Sequence, residues 1–386
     1  MLQKDRKETA KARITAARGA MARQGFDALL LINSTNMMFL SGYPSNEITL
    51  ARPFYLLVPL KGEPVLLVHE GRRAEAMLYS WISDVRTYKP LSVAPLPQLN
   101  QAVHDLGLSG KRIGCELGYE QRLGLPFREF ERVRQEVLPC ILDDAADLLW
   151  ELRQVKSEGD IVALRKACAI TSKAYSNTFQ SLRAGMRDSD VAVQMQMQHL
   201  QLGGGSPWVV LTSGRGNYDL ATGAGSGREL LSGDMVWMDG GCAISGFWSD
   251  FSRAAVIGHP STEQLHAQRL IHEITQEGVE MARPGVRVCD IALHCNARLA
   301  RLELTTTSSI SGLAGRIGHG IGLDLTEPPH VAEYDSTVLR PGMVISIEPG
   351  IATEYGIFHA EEDVLVTPSG PEVLSVAPWE LHEVPA

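Results

Sequence analysis

Long apolar runs are missing from this chain of 386 residues, and no stretch of 18 consecutive apolar residues is available to span a bilayer. Closely paired cysteines are missing too. Cys115, Cys140, Cys168, Cys242, Cys289 and Cys295 lie far apart with no CxxC pair, which points to reduced core fillers. No GxGxxG opens a helix after a strand, and no GxxxxGK[ST] phosphate loop occurs. Gly203–Gly205 and Gly223–Gly227 therefore read as turns and close backbone approaches. Basic charge is in deficit, with 36 Lys and Arg against 45 Asp and Glu, a formal net charge of −9. The basic residues form no stripe, so no nucleic-acid partner is expected. The segment MLQKDRKETAKARITAARGAMARQGFDALLLI lacks the continuous apolar core and cleavage site of a signal peptide, and a cytoplasmic location with no membrane partner is expected.

What is present is a composition suited to large cores, 44% apolar and 21% charged. At roughly 100–200 residues per domain, two or three domains are expected. Residues 8–24 read as an amphipathic helix burying Ile14, Ala17, Met21 and Ala22. Strands are expected at Ala28–Ile32, Phe54–Pro59, Pro64–His69, Val85–Tyr88 and from Lys111, with helices over Arg72–Tyr79, Leu99–Leu108 and Arg128–Glu136. This alternation describes an α/β domain of about 150 residues. The polar segment LRQVKSEGD, Leu152–Asp160, is the boundary, and Ser157 with Asp160 forms a capping-box-like start to the next helix. Beyond it, helices are expected at Asp188–Leu202, Glu263–Val279 and Val288–Leu302. Strands are expected at Val209–Leu211, Met235–Met238, Ala254–Ile257, Val344–Ile347 and Val364–Thr367.

Five short segments place acids or imidazole beside expected strand ends. They are Met238-Asp239-Gly240-Gly241, Trp248-Ser249-Asp250-Phe251-Ser252-Arg253, Gly318-His319-Gly320, Ile347-Glu348-Pro349-Gly350 and Glu361-Glu362-Asp363. Four carboxylates and one imidazole suit Mn²⁺, Co²⁺, Fe²⁺ or Zn²⁺ better than the all-oxygen cage that Ca²⁺ prefers. Composition alone does not make these segments converge.

Their order and spacing resemble the pita-bread metallohydrolases, peptidase family M24, which include methionine aminopeptidase, aminopeptidase P, prolidase and creatinase. Asp239-X-Gly241 is followed by Gly246-Phe247-X-Ser249-Asp250-X-X-Arg253, with the two aspartates 11 positions apart. His319 lies in GHGIGLDLTEPP, Glu348 follows 29 positions later in PGMVISIEPG, and Glu362 opens EDVLVT another 14 on. The likeness covers nearly all of the chain. It implies a creatinase-type N-terminal α/β domain over residues 1–155, a pita-bread catalytic domain over 160–386, and a homodimer. It also implies two divalent ions, with Mn²⁺ first among Mn²⁺, Co²⁺, Fe²⁺ and Zn²⁺. Asp239 is expected on one ion, His319 and Glu348 on the other, and Asp250 and Glu362 between them. Glu348 and His319 are the catalytic candidates, Glu348 as acceptor of the nucleophile's proton and its donor to the leaving nitrogen.

Around this centre His359, Arg316, Thr326 and Trp248 are the candidate substrate-binding residues. The competing readings are a strand-edge structural histidine for His359, an ion pair closing the site for Arg316, and simple burial for Trp248. Arg253 and Cys242 read as structural. Proline-directed relatives place a second histidine where this chain has Thr326 and an upstream pocket histidine near Thr222. They also carry an arginine two positions before the last metal glutamate, where this chain has Ala360. A threonine hydroxyl is a weaker donor to a developing oxyanion than an imidazole. The leading expectation is hydrolysis of a C–N bond in an Xaa-Pro dipeptide or a compact amino-acid derivative. The alternatives are a non-peptide enzyme such as an ectoine-type ring hydrolase or dimethylsulfoniopropionate lyase, and a catalytically silent interaction or regulatory protein. The lyase-like branch carries an aspartate where Gly241 stands.

Overall fold

The computed structural model describes residues 3–44 and 50–385, and its contacts divide the chain into Met1–Arg153 and Gln154–Ala386. The first unit runs α1 (Gln3–Gln24), β1 (Ala28–Leu31), α2 (Ser34–Ser41), β2 (Tyr55–Pro59), β3 (Val65–His69), α3 (Arg73–Tyr79), β4 (Asp84–Tyr88), α4 (Leu96–Asp105), β5 (Arg112–Cys115), α5 (Phe127–Glu136), β6 (Ile141–Asp144) and α6 (Ala146–Gln154). Its six strands form one mixed sheet in the order β4-β3-β2-β1-β5-β6. All four residues of β1 are buried, which fits a central strand covered on both faces. Along α1, Ile14, Ala17 and Met21 are buried as their spacing requires. Ala22 is exposed, because one further residue turns the side chain about 100° away from the buried stripe.

The second unit opens with α7 (Glu158–Ser181), whose Ser157 and Asp160 form a reciprocal capping box, and α8 (Asp188–Gln201). β7 (Gly205–Ser213), β8 (Met235–Ile244), β9 (Phe247–Trp248) and β10 (Phe251–Ile257) follow, then α9 (Thr262–Met281) and α10 (Val288–Leu299). The helix pairs α7–α8 and α9–α10 repeat one design, and α10 starts 100 residues after α8. Arg187 and Arg287 precede the second helix of each pair with the same backbone angles, φ −83° and ψ 141°. The remaining elements are β11 (Ser308–Ser309), α11 (Ile310–Ala314), β12 (His319–Gly320), β13 (Glu327–His330), β14 (Val344–Ile347), β15 (Gly350–Thr353), β16 (Gly356–His359), β17 (Glu362–Thr367), β18 (Gly370–Val373) and β19 (His382–Val384).

Three sheets result: β19-β10-β8-β7 with β9 on β8, β13-β12-β14-β17-β18, and β11-β15-β16. The apolar faces of α9 and α10 share a core with β8, β10, β14 and β17, through Ile271, Ile274, Ile291, Val256, Ile347 and Val364 among others. The polar boundary segment is less solvated than its composition suggests. Lys156 is buried, and its Nζ lies 2.7 Å from the fully buried Glu327, the first residue of β13. All six cysteines are buried and free. No helix among the described residues is long and apolar enough to cross a membrane.

Candidate metal centre

The acid and imidazole segments meet because two sheets present their strand ends to one point. Asp239 lies within β8 and faces the same side as its register partner Ser252 on β10. Asp250 occupies the turn just before β10, and His319 opens β12. Glu348 follows β14, and Glu361 precedes β17, the neighbour of β14 in the sheet. Two glycines of the motifs are required by packing. A Cβ on Gly241 would overlap the carbonyl of Ser249, and one on Gly318 would overlap that of Ser346, so larger residues would force the strands apart.

His319 Nε2 lies 3.3 Å from Asp250 Oδ2 and 3.6 Å from Glu348 Oε1. Its Nδ1 lies 2.9 Å from the Gly320 carbonyl, which can only accept, so the Nδ1 proton is held there and Nε2 faces the acids. Ligand-type atoms of Asp250, His319 and Glu361 lie within 4.8 Å of one another, and so do those of Glu348, His359 and Glu361.

The sequence expectation fails at one ligand. Glu361, and not Glu362, faces the cluster. Glu362 turns the other way, accepting from Arg253 Nη2 at 2.9 and 3.0 Å and from the Ser375 hydroxyl. Both members of the Arg253–Glu362 pair are buried, so the guanidinium neutralises Glu362 in place of a metal. The physical reason is the alternation of an extended chain, which sends neighbouring residues to opposite faces. With Glu361 in that role, the residue two positions before it is His359 rather than Ala360. Sequence reasoning also passed over Asp363, whose Oδ2 accepts from the Asp250 backbone N–H at 3.0 Å and from Cys168 Sγ at 3.2 Å. The run of three acids was the available signal.

The remaining candidates divide. Arg316 Nε stands 3.7 Å from Glu348 Oε1, and its Nη1 is 3.3 Å from His330 Nδ1, so the guanidinium borders the centre. His359 is buried in it, with Nε2 3.5 Å from Glu348 Oε2. Trp248 is half-buried and donates from Nε1 to the Leu323 carbonyl at 3.1 Å, bracing the turn after His319. Thr326 is half-buried immediately before Glu327.

The electrostatics call for a cation. Burial, reinforced by the charge of Asp250, pushes Asp239 well above the usual carboxylate range, and burial with Glu348 does the same to Asp250. Glu361 is raised by burial and by Asp239, Asp250 and Glu348. Burial also opposes ionisation of Glu348, but His359, His319 and Arg316 hold it down to about 2. Both carboxylate oxygens of Glu361, which is only 1% exposed, and Oδ1 of Asp239 are buried without a hydrogen-bond donor. Unpartnered buried acceptors of this kind are rare, and a divalent cation satisfies them and relieves the repulsion together. The donor set fits the metal.

Fold and site together thus define a two-unit α/β protein with a buried carboxylate–imidazole centre, a hydrolytic metalloenzyme architecture. Residues 162–368 match the model of metallopeptidase family M24, and residues 13–155 match that of the creatinase/prolidase N-terminal domain. The chain belongs to metallopeptidase family M24, a family of hydrolases that use divalent metal ions. It is 27% identical over 366 residues to an Xaa-Pro dipeptidase of Pyrococcus horikoshii, covering 94% of this chain and 96% of that one. A probable dipeptidase PepE of Mycobacterium tuberculosis is 34% identical over 253 residues, 64% of this chain and 65% of the relative. Among solved structures, the dipeptidase PepE of Mycobacterium ulcerans superposes with a TM-score of 0.82 at 25% identity, over 98% of this chain and 99% of that chain. The prolidase of Pyrococcus horikoshii gives 0.81 at 25% identity, over 95% and 99%.

Proposed function

We propose that this protein is a dinuclear metal-dependent hydrolase that cleaves the C–N bond of an Xaa-Pro dipeptide. The observation that carries the reading is the buried cluster of Asp239, Asp250, Glu348 and Glu361 with His319, in which the Glu361 oxygens are buried and unpartnered. Asp239, Asp250, His319, Glu348 and Glu361 would hold the ions. Mn²⁺ stands first, ahead of Co²⁺, Fe²⁺ and Zn²⁺, because oxygen donors predominate. Bound divalent ions supply Lewis acidity that activates water and polarises the scissile carbonyl. Glu348 is anionic at neutral pH and adjoins both His319 and His359. It is placed to take the proton of the attacking water and deliver it to the departing nitrogen. Arg316, on the rim, supplies positive charge for a substrate carboxylate. The family likeness also supports a cytoplasmic homodimer.

One observation favours a second substrate class, a compact amino-acid derivative. Thr326 offers a hydroxyl where an imidazole would orient a peptide. A lyase is disfavoured by Gly241, since the aspartate of that branch would overlap the Ser249 carbonyl. The test is Glu348→Gln assayed for proline release from an Xaa-Pro dipeptide. A fall of about 10²–10⁴-fold in kcat is expected. Near-normal turnover with metal retained would contradict the assignment.

A further inference from the structure

His359 has its imidazole oriented by an unusually complete set of contacts. Ser252 Oγ lies 2.6 Å from the His359 carbonyl, which can only accept, so the hydroxyl gives that carbonyl its single hydrogen. The same Oγ receives the Glu361 backbone N–H at 3.2 Å. It also lies 2.9 Å from His359 Nδ1, and with its hydrogen already used it can only accept there. Nδ1 therefore carries a proton, and Nε2 is the ring nitrogen turned inward. It points at a carboxylate, Glu348 Oε2, at 3.5 Å. A cation set between Nε2 and this carboxylate would be bound by both.

His319 shows the same arrangement, with Nδ1 held by the Gly320 carbonyl and Nε2 turned to Asp250 and Glu348. Metal-bound histidines are fixed in this way, with the second ring nitrogen donating to a carbonyl, carboxylate or comparable acceptor. The two ligand sets share Glu361, so the geometry offers two adjacent cation positions rather than one. Donors about 2.1 Å from a common ion stand no more than about 4.2 Å apart. Sets already gathered within 4.8 Å need only a small contraction to close on an ion.

We propose that His359 is itself a metal ligand, which with Glu348 and Glu361 completes a second cation position beside that of Asp250, His319 and Glu361. This rests on the metal-centre reading above and adds to it a second imidazole, one for each position. The chemical consequence is selectivity. Imidazole favours Zn²⁺ and Co²⁺ over Mn²⁺ more than carboxylate does, so His359 raises the preference of its position for the later metals.

The experiment is calorimetric titration of chelator-stripped protein with Mn²⁺ and, separately, Zn²⁺, in the wild type, His359→Ala and His319→Ala. X-ray absorption of the wild type and of both variants, each loaded with two zinc ions, accompanies it. The proposal expects His359→Ala to weaken one Zn²⁺ site at least about tenfold, with a smaller loss for Mn²⁺. It expects about one imidazole per zinc in the wild type, falling to about half in either variant. If His319→Ala loses metal while His359→Ala titrates like the wild type, His359 is no ligand and the metal-centre reading stands. A wild-type spectrum with only about half an imidazole per zinc overturns the proposal without any variant, so misfolding cannot mask the answer. If the wild type binds neither ion, the proposal falls together with the reading on which it rests.

Discussion

Glu361, Glu362 and Asp363 are consecutive carboxylates in three different environments. Glu361 faces the cluster without a donor, Glu362 is neutralised by Arg253, and Asp363 accepts from the Asp250 backbone and Cys168. Exchanging each acid for its amide should therefore give distinct results. Glu361→Gln should abolish tight metal binding while the fold persists, as read by calorimetry and circular dichroism. Glu362→Gln should retain the metal but lose on the order of 3–5 kcal/mol in chemical denaturation, because it leaves the buried Arg253 charge uncompensated. The reverse pattern would restore Glu362 as the ligand. The assignment was not legible in the sequence because a one-residue shift in an extended segment exchanges faces, and nothing in Glu361-Glu362-Asp363 fixes the register. Structure supplies the missing parity: Ser252 shares the face of Asp239, so Arg253 lies on the other face and takes Glu362 with it. Asp239, Asp250, His319 and Glu348 could be proposed as ligands from the sequence because the order and spacing of their motifs resemble the family pattern.

At the scale of elements, helices with clear periodicity and caps were readable from the chain alone. α9 begins one residue before the expected start and ends two beyond the expected end, and Ser157 caps α7 as its spacing predicts. Ser157→Ala should lower stability by about 1 kcal/mol in a denaturant titration. Short elements escaped. α2 and the β15–β16 hairpin have too few residues to show a period, and their strand or helix character comes from packing. The α8 helix also carries a buried titratable group. His199 Nδ1 lies 2.9 Å from the Met195 carbonyl and Nε2 3.1 Å from Thr171 Oγ1, and burial lowers its pKa to about 4. Its unfolded pKa is about 6.5. The neutral ring therefore contributes stability above about pH 6.5 that is lost as pH falls toward 4, because only the unfolded chain takes up the proton in that window. Urea midpoints should fall across this range, and His199→Gln should flatten the slope. An unchanged slope would remove His199 as its source.

The whole molecule joins a repeated helix–sheet scaffold to a centre whose acids repel one another until a cation is bound. Loading the stripped protein with divalent metal should raise its melting temperature, since ions that bind only the folded state stabilise it by mass action. Substrate choice is the least legible property at this scale, because the motifs identify the acids and imidazole of the centre and leave the proposed substrate contacts of Arg316, Thr326 and Trp248 to their surroundings. The most direct measurement is free proline released from an Xaa-Pro dipeptide by chelator-stripped protein, before and after Mn²⁺ is restored. No release is expected from the stripped protein, and turnover is expected on adding metal. Equal release in the presence of excess chelator, or none with any of Mn²⁺, Co²⁺, Fe²⁺ and Zn²⁺, would contradict it.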